Sequence, residues 1–200
     1  MRMSNLNRRS VLAGLAASAS FLPFSAQALT GAEARNLIDA AVGEINVAVN
    51  SGKADAAVFS DFERIFRRYA DVSTISRSVL GPPARSASNS QISAFADAFI
   101  TYAARKYGSR FKEFKGSEIE VVGTREVKSF FEVQATVQLR GQSPFSVGFM
   151  VSDRTGKDLF FDLLIEGISL LKAERAEIGA LYDKSGRDIG KLTQSLGASG

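Results

Sequence analysis

The sequence predicts an α+β domain, with a helical N-terminal half followed by an antiparallel sheet of about four strands packed against helices. Two observations carry this. Between Thr30 and Tyr107 apolar residues recur every three or four positions, the period of amphipathic helices. From Glu118 to Ile165 the period falls to two, with short turns between the runs, as in hairpin-connected strands. Helices gathered on one side of such a meander make one α+β layer pair.

Before this domain the chain carries an address. Arg2, Arg8 and Arg9 form a basic region, Val11 to Leu22 is a short apolar run, and Ala26-Gln27-Ala28 offers a cleavage site before Leu29. That run is too short for a hydrocarbon core of about 30 Å. The paired arginines before Ser10-Val11-Leu12 resemble a twin-arginine export signal, with an ordinary secretory signal as the alternative. Residues 1–28 are therefore expected to be removed on export, leaving 29–200 as a single domain in the periplasm. All 21 acidic residues lie after Ala28 with 22 of the 25 basic ones, so the mature chain carries a net charge of only +1. Nucleic acid is accordingly no expected partner.

The helices follow in order. Thr30 with Glu33 forms a capping box, and Ala34, Leu37, Ile38, Ala41, Ile45 and Val49 continue at helical spacing to a stop at Ser51-Gly52. A second helix, about Ala54 to Tyr69, sets Val58, Phe59, Phe62, Ile65, Phe66 and Tyr69 on one face. Arg64, Arg67 and Arg68 lie opposite, suited to a solvated face or to contact with lipid phosphates or a partner. Asp71 is placed to cap a short helix bearing Val72, Ile75, Val79 and Leu80, ended by Gly81-Pro82-Pro83. After Ser88 a long helix to about Tyr107 turns Ile92, Phe95, Phe99, Tyr102 and Ala103 inward.

Strands then take over. Ile119 and Val121 alternate with acids that face solvent. Phe131, Val133, Ala135, Val137 and Leu139 alternate with Glu132, Gln134, Thr136, Gln138 and Arg140, and Phe145, Val147, Phe149 and Val151 follow a turn at Gly141 to Pro144. The fourth strand, from Asp158, places Leu159, Phe161, Leu163 and Ile165 on one face and Phe160, Asp162 and Leu164 on the other. It is apolar on both faces except at Asp162, so it should lie between two apolar layers, or between a core and an apolar cavity, with Asp162 held by an arginine or backbone donors. The chain turns at Glu166-Gly167, and Ser169 is placed to cap the helix that leaves. Helices at about Ser169 to Asp183 and Asp188 to Leu196 close the domain, with Gly197 to Gly200 as a loose tail.

Several stretches resemble the MlaC-type, or toluene-tolerance, family. Tyr69 to Gly81 follows its Y-x-D-V-x-x-I-x-R-x-V-L-G pattern; Gln91, Phe95 and Phe99 match a Q-x-x-x-F-x-x-x-F run. The sequence IEGISL from Ile165 to Leu170, with Arg175 and Glu177-Ile178, matches the closing signature. Two departures stand out: Ala84-Arg85 replaces a usual Trp-Arg, and no tryptophan opens the fourth strand, where Asp158 stands. The resemblance implies a nuclear-transport-factor-two-like cone of curved sheet and helices, open at one end.

The chemistry of the chain is mostly exclusion. Without histidine or cysteine there is no thiol nucleophile, no His-based triad and no ordinary zinc site, and the glycines form no phosphate loop. No catalytic or metal-ligating residue and no cofactor is expected, and a small-molecule enzyme on this fold is the disfavoured reading. Fifteen phenylalanines remain, of which Phe59, Phe62, Phe66, Phe95, Phe99, Phe131, Phe145, Phe149 and Phe161 read as inward. Taken alone they suit a plain core, as an interaction adaptor would have. The resemblance instead implies a cavity for acyl chains, lined by Phe66, Tyr69, Val72, Ile75, Val79, Phe95, Phe99, Phe149, Phe161 and Leu163. It further implies a monomeric periplasmic carrier of phospholipid, or of another lipid such as a hopanoid, serving membrane-bound components of an Mla-type ABC transporter.

Overall fold

The computed structural model describes residues 28–108 and 116–198. The leader expected over residues 1–28 thus lies, but for Ala28, outside the described residues. Helix α1 (Gly31–Val49) begins with the capping box: Thr30 Oγ1 accepts from the Glu33 amide at 3.3 Å, and Glu33 Oε2 accepts from the Thr30 amide at 2.9 Å. Helix α2 (Asp55–Tyr69) has no side-chain cap. Helix α3 (Val72–Leu80) is capped by Asp71, whose Oδ1 accepts from the Thr74 amide at 2.9 Å. It stops at Gly81, where φ is +72°, and Pro82–Arg85 form a 3-10 turn before helix α4 (Asn89–Gly108).

The sheet is a meander in sequence order: β1 (Glu118–Val127), β2 (Phe130–Gln138), β3 (Phe145–Ser152), β4 (Leu159–Ile165) and a fifth, two-residue strand β5 (Ile168–Ser169). All neighbours are antiparallel. The α+β class and the antiparallel meander are as expected, and the two-residue β5 is added to the four longer strands. The turn at Glu166-Gly167, with φ of +49° and +77°, returns the chain beside β4 for two residue pairs, Ile165 with Ile168 and Leu164 with Ser169, before the helix begins. Ser169 then caps helix α5 (Leu170–Lys184) by accepting from the Lys172 amide, and α6 (Ile189–Ala198) closes the chain. Helix α6 includes Gly197 and Ala198, the first two residues of the expected loose tail.

Helix α1 covers the inner face of the sheet along β1, β2 and β3, while α3 and α5 pack at β4. The Arg35 guanidinium and the Asn46 amide donate to the Val121 and Ile119 carbonyls, so α1 satisfies part of the edge strand β1 as well as covering it. At the other edge, Ala70 pairs with Phe160 in a parallel bridge, and the Asp71 amide donates to the Phe160 carbonyl at 2.8 Å.

The basic triplet on α2 is exposed, yet it is engaged. Arg64 and Arg68 both reach Glu44 on α1, at 2.6 and 2.7 Å, and Arg67 reaches Asp97 on α4 at 2.8 Å. Arg64, then Tyr69, whose hydroxyl donates to Glu44 at 2.7 Å, holds that carboxyl below the usual carboxylate range. These pairs tie α2 to its two helical neighbours.

A bulge between Met150 and Val151 breaks the register of β3 and β4: Met150 pairs with Asp162, but Val151 pairs with Phe160. The slip corrects the face assignment of the fourth strand. Leu163 and Ile165 share the inner face, as expected, but before the bulge that face belongs to Phe160. Phe161 turns outward and meets Phe130 edge-on, with ring centroids 5.4 Å apart. Asp162 is half-buried and fastened by backbone donors, as expected. Its Oδ1 accepts from the Leu163 and Leu171 amides at 2.8 and 2.9 Å, and its Oδ2 from the Ser169 hydroxyl at 2.6 Å. It pins the first turn of α5 to β4, where the helix N-terminus favours a negative charge.

The outer face holds one buried acid. Glu132, 7% exposed, stands where alternation implied a solvated position. Gly148 leaves it room, since a Cβ there would lie 2.9 Å from Glu132 Oε1, and Arg125 pairs with its carboxylate at 2.6 Å.

Candidate functional site

The interior lies between the inner face of the sheet and α1 to α5. Tyr69, Ile75, Val79, Phe95, Phe99 and Phe149 fall into one buried cluster, with Phe66 and Leu163 half-buried at its margin. Val72, at the start of α3, is half-buried. Phe161, on the far side of the sheet, is separated from these residues, and Phe160 takes the place expected of it. Phe160 meets Phe66 and Phe149 edge-on, with centroids 5.7 and 5.9 Å apart. A second aromatic series runs along α4, from Phe95 to Phe99 at 6.0 Å and on to Tyr102 at 6.3 Å.

This second series ends in polar groups that sequence reasoning missed. The Tyr102 hydroxyl donates to Glu177, the Tyr107 hydroxyl to Glu174, and Lys106 Nζ reaches Glu174 at 2.7 Å and Glu177 at 2.5 Å. Burial pushes the Tyr102 hydroxyl up to about 12, helped by its bond to Glu177, and raises Tyr107 likewise. Burial alone would lower Lys106, but its bonds to the two carboxylates outweigh that and raise it. Hydrogen bonds from Lys106 and Tyr102 lower Glu177. All four shifts favour the bonded state at neutral pH, so the cluster clamps α4 to α5. As the pH rises above the ordinary tyrosine value of about 10 and through the raised value of Tyr102, its contribution is lost. Glu174, 4% exposed on an otherwise surface-facing turn, gave no sequence signal.

Coverage of the inner face is uneven. One row of residues crosses all five strands in register: Val121, Ala135, Val147, Ile165 and Ile168. Val121 and Ala135 are buried, Val147 is half-buried, Ile165 is 39% exposed and Ile168 is 70% exposed. The adjacent row runs from Val133 and Phe149, both buried, to a half-buried Leu163. Burial on this face thus falls from the part under α1 toward the hairpin of β4 and β5.

Both rows consist of apolar side chains throughout. Among the described residues no group of three or more acidic side chains could hold a metal ion, and no helix is long and apolar enough to cross a membrane.

The chain matches the family described as MlaC protein over residues 36–198. It belongs to the MlaC family. The match spans helices and sheet alike. Two MlaC-like segments meet in space, where the Arg175 guanidinium lies against Gly81, its Nε 3.3 Å from where a Cβ on that glycine would stand. Among solved structures the chain is similar to the phospholipid-binding protein from Ralstonia solanacearum, determined in complex with a phospholipid. The TM-score is 0.69 at 18% identity, over 82% of this chain and 94% of that one, so the two share a fold. No curated protein matches the sequence.

Proposed function

We propose that the mature protein is a periplasmic carrier that takes the acyl chains of a phospholipid into the interior between β3, β4 and helices α2, α3 and α4. It acts as a monomer, catalyses no reaction, and passes its cargo between membrane-bound components of an Mla-type transporter. Family membership is the observation that carries this reading. The related fold that holds a phospholipid supports it, as does the absence of histidine and cysteine.

Elementary energetics suit a carrier built this way. Each buried methylene contributes about 0.8 kcal/mol, so two chains of about sixteen carbons gain on the order of 25 kcal/mol against water. A shuttle must come close to that with uncharged walls, or the lipid stays in its bilayer. Phe66, Phe149, Phe160 and Leu163 supply such a wall, and the head group, left in water, needs no fixed polar partners.

Organic extraction of purified mature protein, followed by lipid mass spectrometry, tests the reading; phospholipid in near-stoichiometric amount is expected. Leu163→Asn, at the half-buried margin, should lower that yield with the fold intact. Phe161→Ser, on the outer face, should not. A wild-type protein that neither carries lipid nor takes it from vesicles would overturn the proposal.

A further inference from the structure

The graded row on the inner face has no packing rationale at its outer end. Ile165 and Ile168 stand opposite each other across the two-residue turn at Glu166-Gly167, so their side chains share one face, and that face continues without interruption into Val147 and the interior. A hairpin tip in water ordinarily carries polar residues. Here the one acid of the turn is tied back: Glu166 accepts from both the amide and the hydroxyl of Ser146. Its carboxyl is held below the usual range by those bonds, and it leaves the two isoleucines as the projecting groups.

We propose that this hairpin is the lip over which an acyl chain passes between a bilayer and the interior; the proposal rests on the carrier reading above. The continuity of the row names the occupant. The row falls from 70% exposure at Ile168 through 39% at Ile165 to a half-buried Val147, and so offers a hydrocarbon chain apolar contact up to the point where α1 seals the sheet. From the tip the row leads to Val147, beside the half-buried Leu163 of the wall named above. The geometry also separates rate from capacity. Ile168 lies outside the buried cluster, so it contributes to the path and little to the final bound state.

The test measures extraction of a self-quenching fluorescent phospholipid from vesicles of phosphatidylethanolamine and phosphatidylglycerol, using the mature protein. Ile168→Asn and Ile165→Asn should slow extraction by about tenfold or more, the kinetic weight of one isoleucine contact. Their lipid content after long equilibration and their melting temperature should stay at wild-type values, and Ile168→Leu should extract at the wild-type rate. Val47→Asn is the control, because Val47 on α1 is as exposed, at 73%, but belongs to no such row. Unchanged rates in both asparagine variants would overturn the lip while leaving the carrier reading intact. Equal slowing by Val47→Asn would overturn it too, by showing that any exposed apolar residue serves. A wild-type protein that extracts no lipid would end both readings together.

Discussion

Two corners of the same sheet, on the same face, have different fates. Under α1, Val121, Ala135 and Val133 are sealed, and α1 also takes up carbonyls of β1 through Arg35 and Asn46. At the hairpin of β4 and β5, equally apolar residues stand in water. Sequence hydrophobicity is the same in both corners; helix coverage is not. The difference teaches that one corner is devoted to stability and the other is left available, a division that ordinary fold optimisation would not produce.

Substitutions can break this contrast, and the largest effect belongs to the sealed corner. Ile38→Ala, at a fully buried position of α1, should cost about 2–5 kcal/mol in denaturant unfolding. A loss below about 1 kcal/mol would mean that α1 does not seal the sheet as tightly as its burial implies. Next comes the outer face beneath it. Arg125→Ala strands the buried Glu132 carboxylate and should cost about 1–3 kcal/mol, largely recovered by adding Glu132→Gln. An additive double variant would show that the two residues do not act as a pair.

Smaller effects sharpen the open corner. Gly167→Val forces a β-branched residue to φ of +77° and should cost about 1 kcal/mol, read as a lower melting temperature. Nothing crowds the position a Cβ would occupy, so the penalty comes from the backbone alone. Smallest of all, Ile168→Asn should change stability by no more than about 0.5 kcal/mol. A large loss there would show that the hairpin is part of the sealed core.

Much of this arrangement was legible beforehand because its signals are local. The capping box at Thr30 and Glu33, the cap at Asp71 and the turn at Gly167 need only near neighbours in the chain, and each stands where its residues imply. Six of the residues expected to line a cavity fall in the buried cluster, and their inward position was legible through period: Phe95 and Phe99 lie one helical turn apart, and Ile75 and Val79 likewise. Phe161 was misplaced because β4 is apolar on both faces. Alternation there carries no information, and a bulge of one residue reverses every assignment before it. Glu132 and Glu174 were illegible for another reason: the ionic partner of each comes from another element, Arg125 from the neighbouring strand and Lys106 from another helix. The lip was hidden because exposure depends on which helix is missing above a strand.

The outer edge of β4 carries one more consequence. It is divided between two very short partners, the Ala70 bridge at its start and two residues of β5 at its end. Neither offers another molecule a run of free amides and carbonyls long enough to template a strand. A chain that displays bare isoleucines at a sheet margin courts fibril growth, since greasy side chains and an unpaired backbone together are what cross-β stacking needs. Splitting the margin into fragments withholds the backbone half of that requirement. At this margin, then, apolar side chains are displayed without a continuous run of unpaired backbone beside them.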